Sequence, residues 1–405
     1  SGDDGNPGTR TKPYKTVGKG LSAGRGRVVV CEGTYAESVE VKSDVEVYSG
    51  VTCDFGKAGG RAKVVGTKPE YAVKIGKVTA TLAELDIEGA AGTAGSRTSV
   101  GVWAVEAVKV SLRKVGVEAK GGFAGEAGAG GTTGTYATGN GNGNPASASA
   151  GGAAKPCTCS SGGVTAGARG GAPLDTAGSG LEALGGVAPK DGAGGLAGMA
   201  CGSGGLGHDG AERAEGAPAA KVTTPGGISG SGEWTPSEAP AGASGLPGQG
   251  GGGGGSRGAD SFGGGGACGG CGGTGGKGGK SGGGSIALLS VSSNVTMTNV
   301  TLTAAAGGTG GTGGTGGTGG GGGPGAAGGG SLSGCGGGDG GKGGAGGAGA
   351  GGAGGISVAV VYKGTKPTGD GTLKAGAGGA GGVGGAAGVN DGPAGLSQSE
   401  LEVAP

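Results

Sequence analysis

Asn299-Val300-Thr301-Leu302-Thr303-Ala304-Ala305-Ala306-Gly307-Gly308-Thr309-Gly310-Gly311-Thr312 changes rhythm partway along. Up to Ala304, apolar and polar side chains alternate, the two-residue period of a strand with one buried face. After Gly307 a side chain returns every third residue, at Thr309, Thr312, Thr315 and Thr318, with Gly-Gly between. A three-residue period belongs to a polyproline-II-type helix, which rises about 3.1 Å per residue and has no internal hydrogen bonds. One edge of such a helix carries the side chains, and the other two are bare main chain. Bare edges let several helices lie side by side, each N–H and C=O bonding a neighbour. Disordered glycine linkers have no reason to keep a period.

The rhythm recurs at Cys268, Cys271, Thr274, Lys277 and Lys280, again at Asp339, Lys342, Ala345 and Ala348, and at Ala377, Ala380, Val383 and Ala386. The alternating texture recurs too. Residues 1–120 hold short β-branched runs around Val28-Val29-Val30, Val39-Glu40-Val41, Val45-Glu46-Val47, Val73-Lys74-Ile75, Leu85-Asp86-Ile87 and Val108-Lys109-Val110. A segment after Pro13, Tyr14 to Leu21, is the one helical expectation, as an N-terminal cap.

Three ordinary segments read as copies of a unit of about 22 residues, a length at which solenoid repeats stack because none buries its own apolar face. They end at Gly122, Gly308 and Gly379, each running into glycine. The expected fold is mainly β: a short right-handed parallel β-helix whose glycine-rich insertions form packed polyglycine-II-type helices, leaving the stack at one corner of each coil. The expected divisions are 1–120, cap and first coils; 121–283, a Gly/Ala-rich insertion; 284–306, a coil; 307–355, a polyglycine-II tract; 356–376, a coil; and 377–405, a last tract and tail.

Composition agrees with a main-chain architecture. Of 405 residues 124 are Gly and only 3% are aromatic, too few apolar side chains for a globular core to offset the ordering entropy. Collagen is excluded, because no continuous Gly-X-Y register exists and Pro is scarce. Thirty basic and 29 acidic residues give a net charge of +1, without the basic footprint of a nucleic-acid binder. No apolar run approaches the roughly 18 residues of a membrane span. A chain opening on Ser1 rather than Met is expected to be processed.

Eight cysteines point to an oxidising compartment. Cys31 and Cys53 are one coil length apart, so stacking would bring them within disulfide reach. Cys268-Gly-Gly-Cys271 resembles half a zinc site or a redox pair. In a three-residue helix, however, its Cα atoms stand roughly 9 Å apart, beyond the 4.4–6.8 Å a disulfide tolerates. These two are expected to bond elsewhere, among Cys157, Cys159, Cys201 and Cys335, with the connectivity open.

Gly2-Asp3-Asp4-Gly5-Asn6-Pro7, Lys12-Pro13-Tyr14-Lys15-Thr16-Val17 and Val28-Val29-Val30-Cys31-Glu32-Gly33-Thr34-Tyr35 resemble the opening cap and first strand of pectin-lyase-like right-handed β-helix proteins. With Tyr48-Ser49-Gly50-Val51-Thr52-Cys53 and the glycine tracts, the chain resembles glycine-rich (PGRS-like) surface proteins predicted in myxobacteria. The resemblance implies export and a right-handed coil, and no activity.

Enzymatic constellations are weak. Asp86 and Glu88 share a strand face and Glu37 and Glu40 flank a turn, patterns expected of solvated surface. The single histidine, His208 beside Asp209, disfavours histidine triads and multi-histidine metal sites. Trp103 and Trp234 are candidate sugar-stacking residues, Trp103 being expected in the core. Asn294-Val-Thr and Asn299-Val-Thr match glycosylation sequons and read as a polar strand face.

The resulting expectation is a secreted, non-enzymatic structural or adhesive protein of a cell surface or matrix, self-assembling into filaments in its subordinate form. It needs no cofactor and no metal. Its partners would be further copies of itself or an extracellular polysaccharide. The alternatives are a glycan- or ice-binding module presenting the row Thr309, Thr312, Thr315 and Thr318, and a carbohydrate-active β-helix enzyme.

Overall fold

A computed structural model describes residues 2–173, 192–203 and 205–404; 174–191, within the long insertion, lies outside the described residues. The chain is mainly β, with parallel strands stacked on three faces. On the first face Arg27–Cys31, Val45–Val51, Thr79–Ala83 and Lys109–Arg113 stack in turn; on the second, Gly33–Ala36, Ala62–Val65, Leu85–Glu88 and Gly116–Ala119. Val295–Ala304 runs through both faces and pairs with Thr368–Lys374, so the two faces form one ten-stranded sheet. The third face stacks six strands: Val39–Val41, Val73–Ile75, Ser99–Val105, Ser285–Val291, Ser357–Lys363 and Ser397–Glu402. This is a parallel β-helix.

Parallel register places like on like. Val47, Leu82, Leu112 and Met297 form one interior column. Val64, Ile87, Val117 and Leu302 form a second, and Val39, Val73, Val102, Leu288 and Val360 a third. The columns meet in one buried cluster. Fully burying each such side chain is worth about 1.5–3 kcal/mol, which the aromatic-poor composition conceals. The corners turn through left-handed residues stacked on one another: Gly50 (φ 83°), Glu84 (58°), Lys114 (51°) and Asn299 (51°) between the first two faces.

The helix Val17–Ser22 covers the N-terminal end, with Val17 and Leu21 joining the core. The Thr16 hydroxyl caps it by accepting from the Lys19 N–H. Glu37 accepts from the N–H groups of Val17 (2.7 Å) and Gly18 (2.9 Å), so this carboxylate caps a helix. The helix starts three residues later than the Tyr14 expected, because Thr16 is the first residue able to cap it.

Ser285–Val291 is buried at every position. Trp103, Leu289 and Val361 on the outer side of the third face pack under Trp234 and Ile228, on the antiparallel hairpin Gly226–Ile228 and Trp234–Pro236. A strand covered on both sides loses alternation.

The glycine tracts all leave after the second face, following Gly116–Ala119, Val295–Ala304 and Thr368–Lys374. They are joined by main-chain hydrogen bonds at three-residue intervals. The N–H groups of Gly308, Gly311, Gly314 and Gly317 donate to the carbonyls of Gly283, Lys280, Lys277 and Thr274 at 2.8–2.9 Å, a descending order that makes these two tracts antiparallel. Gly346, Gly349, Gly352 and Gly355 donate in turn to Gly317, Gly314, Gly311 and Gly308. Gly273, Gly276 and Gly279 donate to Gly344, Gly347 and Ala350, in parallel order.

No glycine in 263–283, 307–328 or 334–355 has a left-handed φ. Glycine is needed there for space. A β-carbon on Gly276 would overlap the Gly314 carbonyl, and one on Gly314 the Ala129 carbonyl.

Candidate binding face

The threonine row stands at the surface of this lattice. Thr309, Thr312, Thr315 and Thr318 are exposed, whereas Gly308, Gly311, Gly314 and Gly317 are buried. The threonine carbonyls accept from Gly125, Gly128, Gly131 and Gly134 at 2.7–2.9 Å on one side. On the other side Gly307, Gly310 and Gly313 donate to Ala377, Ala380 and Val383 at 2.8–2.9 Å. Both orders ascend together, so three tracts run side by side in one direction.

Three neighbouring rows result. Ala124, Ala127, Gly130 and Thr133 flank the threonines on one side, and Ala377, Ala380 and Val383 on the other; all are exposed. Thr133 and Thr318 join hydroxyl to hydroxyl at 2.9 Å. These rows carry no charge, and along each the side chains recur at every third residue. Such a face offers methyl and hydroxyl groups at regular intervals and no carboxylate, imidazole, amine or thiol. The row Ala377, Ala380 and Val383 is visible in the sequence by its period, whereas Ala124, Ala127, Gly130 and Thr133, which keep the same period, were not singled out there.

Cys31 pairs with Cys53 (Cα–Cα 4.8 Å). Cys268 and Cys271 pair not with each other but with Cys157 and Cys159 respectively. Cys201 pairs with Cys335. Cys157 lies on the hairpin strand Lys155–Thr158, with Cys159 just beyond it, so two bonds fasten that hairpin to the tract beginning near Gly263. All eight cysteines are thus used in structural bonds.

The other candidate residues are dispersed. Asp86 pairs with Arg61 (3.2 Å), and Glu88 with Lys63 (2.6 Å) and Lys120 (3.1 Å), all on the outer second face. The Lys63 hydrogen bond, followed by that of Lys120, holds the Glu88 carboxyl below its usual range against the opposing effect of burial. Glu40 pairs with Lys42 (2.9 Å). His208 is exposed, and its neighbour Asp209 accepts from the Asp339 N–H at 2.8 Å. Trp103 is 2% and Trp234 7% exposed, so neither presents a ring for sugar stacking; Lys74 covers the Trp103 ring at 3.9 Å. Asn294 and Asn299 are exposed, Asn299 at a left-handed corner. Among the described residues no group of three or more His, Cys, Asp and Glu side chains is placed to hold a metal ion, and no helix is long and apolar enough to cross a membrane.

The fold defines a parallel β-helical protein with main-chain-bonded glycine tracts on one corner. Residues 1–98 match the family described as a protein of unknown function, DUF1565; they supply the strands up to Leu85–Glu88. No curated protein and no solved structure matches the chain.

Proposed function

We propose that the protein is a non-enzymatic extracellular structural or adhesive element of a cell surface or matrix. The β-helix is its base, and the glycine tracts, packed as polyglycine-II-type helices, are a stiff block grown from one corner. The observation that carries this reading is the three-residue hydrogen-bond ladder linking Lys277, Gly314 and Gly349. It commits long stretches of the chain to main-chain bonding between tracts. Four disulfides favour an oxidising, extracellular setting, and the likeness to glycine-rich surface proteins points the same way. Self-assembly, the subordinate form of this reading, would use the open edges of the stacked sheets at the ends of the coil.

Co-sedimentation with insoluble matrix polysaccharides, together with electron microscopy of the purified chain, tests this role. Retention on the polymer or ordered assemblies is expected, without depolymerisation. A depolymerising activity lost on Asp86→Asn with Glu88→Gln would replace it with the enzyme reading.

The uncharged threonine face favours a second reading, a module that binds a glycan or ice. Thr312→Glu with Thr315→Glu would then abolish thermal hysteresis or a glycan-array signal. The absence of both activities from the unaltered chain removes this reading.

A further inference from the structure

The first strand, Arg27–Cys31, has a neighbour on one side only, Val45–Val51. Arg27 lies opposite Glu46, whose N–H donates to the Gly26 carbonyl at 2.9 Å. In a parallel ladder that phase aims the polar groups of Gly26 and Val28 at Val45–Val51. It turns the N–H and C=O of Arg27 and Val29 to the open side.

A cavity of about 630 Å³ lies along this strand, and all five of its residues line it. Pro13 and Tyr14 of the opening segment line it as well, as does Phe55 from the loop beyond Cys53. No main-chain hydrogen bond joins residues 2–16 to the strand, so the opening segment, although it lines the cavity, leaves the main-chain groups of this edge unpaired. The loop is fixed by the Cys31–Cys53 disulfide and by Arg10, whose Nε donates to the Asp54 carbonyl at 3.1 Å. Phe55 stands at φ 52°, a left-handed conformation that a bulky residue keeps only where its surroundings impose it.

Charge selects the occupant. Arg10, Lys15, Arg25 and Arg27 line the cavity and no Asp or Glu does. Arg27 is paired with Glu46 outside it (2.8 Å) and Arg10 is engaged at Asp54, which leaves Lys15 and Arg25 to attract a ligand. We propose that this edge takes up an extended acidic peptide segment of a partner protein, which adds as a further strand against Arg27–Cys31. An acidic saccharide would satisfy the cations but would leave the main-chain groups of Arg27 and Val29, at strand spacing, without matching partners.

Fluorescence anisotropy of the full chain with a labelled Glu-Val-Glu-Val-Glu-Val peptide tests the proposal. Saturable binding is expected, at least tenfold weaker for the peptide N-methylated at alternate amides and for Lys-Val-Lys-Val-Lys-Val. Lys15→Ala with Arg25→Ala should weaken it at least tenfold, and Val29→Pro, which removes an N–H only from the open side, likewise. Circular dichroism checks that both variants stay folded. Equal binding of the N-methylated peptide would overturn the added strand, leaving ionic attraction alone. Binding of an oligogalacturonate with none of the peptide would overturn the choice of ligand, and no saturable binding of either would remove the site.

Discussion

Gly314 donates its N–H to the Lys277 carbonyl at 2.8 Å and accepts from the Gly349 N–H at 2.9 Å, so one glycine ties three tracts together through main chain alone. Its hydrogen is what permits the approach. Gly314→Ala and Gly276→Ala should each cost about 1–3 kcal/mol, the usual penalty of overpacking. Thr312→Ala, on the exposed row of the same tract, should stay within about 0.5 kcal/mol. Thermal melts of the three variants check this contrast.

The disulfides make a second, separable contribution. Cys159 and Cys271 are 112 positions apart in sequence, and closing so long a loop stabilises by about 2–4 kcal/mol. Replacing Cys157, Cys159, Cys268 and Cys271 together by Ser, which removes both links across this loop, should therefore lower the denaturation midpoint. Mass spectrometry of an unreduced digest should recover the Cys157–Cys268, Cys159–Cys271 and Cys201–Cys335 links.

Trp234 is the lid over the outer side of the third face. Trp234→Ala should cost about 3–5 kcal/mol and expose Trp103, Leu289 and Val361. A rise in binding of a hydrophobic dye with the far-ultraviolet spectrum retained is the expected signature.

Acid should destabilise the fold. Salt-bridged Glu88 is held low chiefly by Lys63. Asp391 is held low by the Gly384 and Gly388 N–H groups, and Asp4 by that of Thr16. A carboxyl with a depressed folded pKa contributes stability that is complete above its unfolded value, about 4, and is lost as pH falls through the folded one. Melting temperature should hold from pH 7 to about pH 5 and fall below about pH 4.

The β-helix was legible because parallel register repeats residue types: Val45–Val51, Leu85–Glu88 and Val295–Ala304 alternate visibly, and the glycine period needs no tertiary context to be seen. Other features were hidden. Glu84 and Lys114 turn corners at positive φ although nothing in their chemistry favours it; stacking on Gly50 and Asn299 imposes it. The hairpin carrying Trp234 is built from Gly and Ser and looks like the insertion around it. The open edge of Arg27–Cys31 depends on which neighbour is missing, a relation no local pattern encodes. The threonine row was visible as a period, but its exposure follows from which neighbours cover the glycines.

Main-chain amide exchange across residues 307–355 tests most directly whether glycine here builds a hydrogen-bonded solid. Slow exchange is expected at Gly308, Gly311, Gly314 and Gly317, persisting until the β-helix itself opens. Exchange at free-peptide rates through this stretch, with the Val295–Ala304 amides protected, would contradict it.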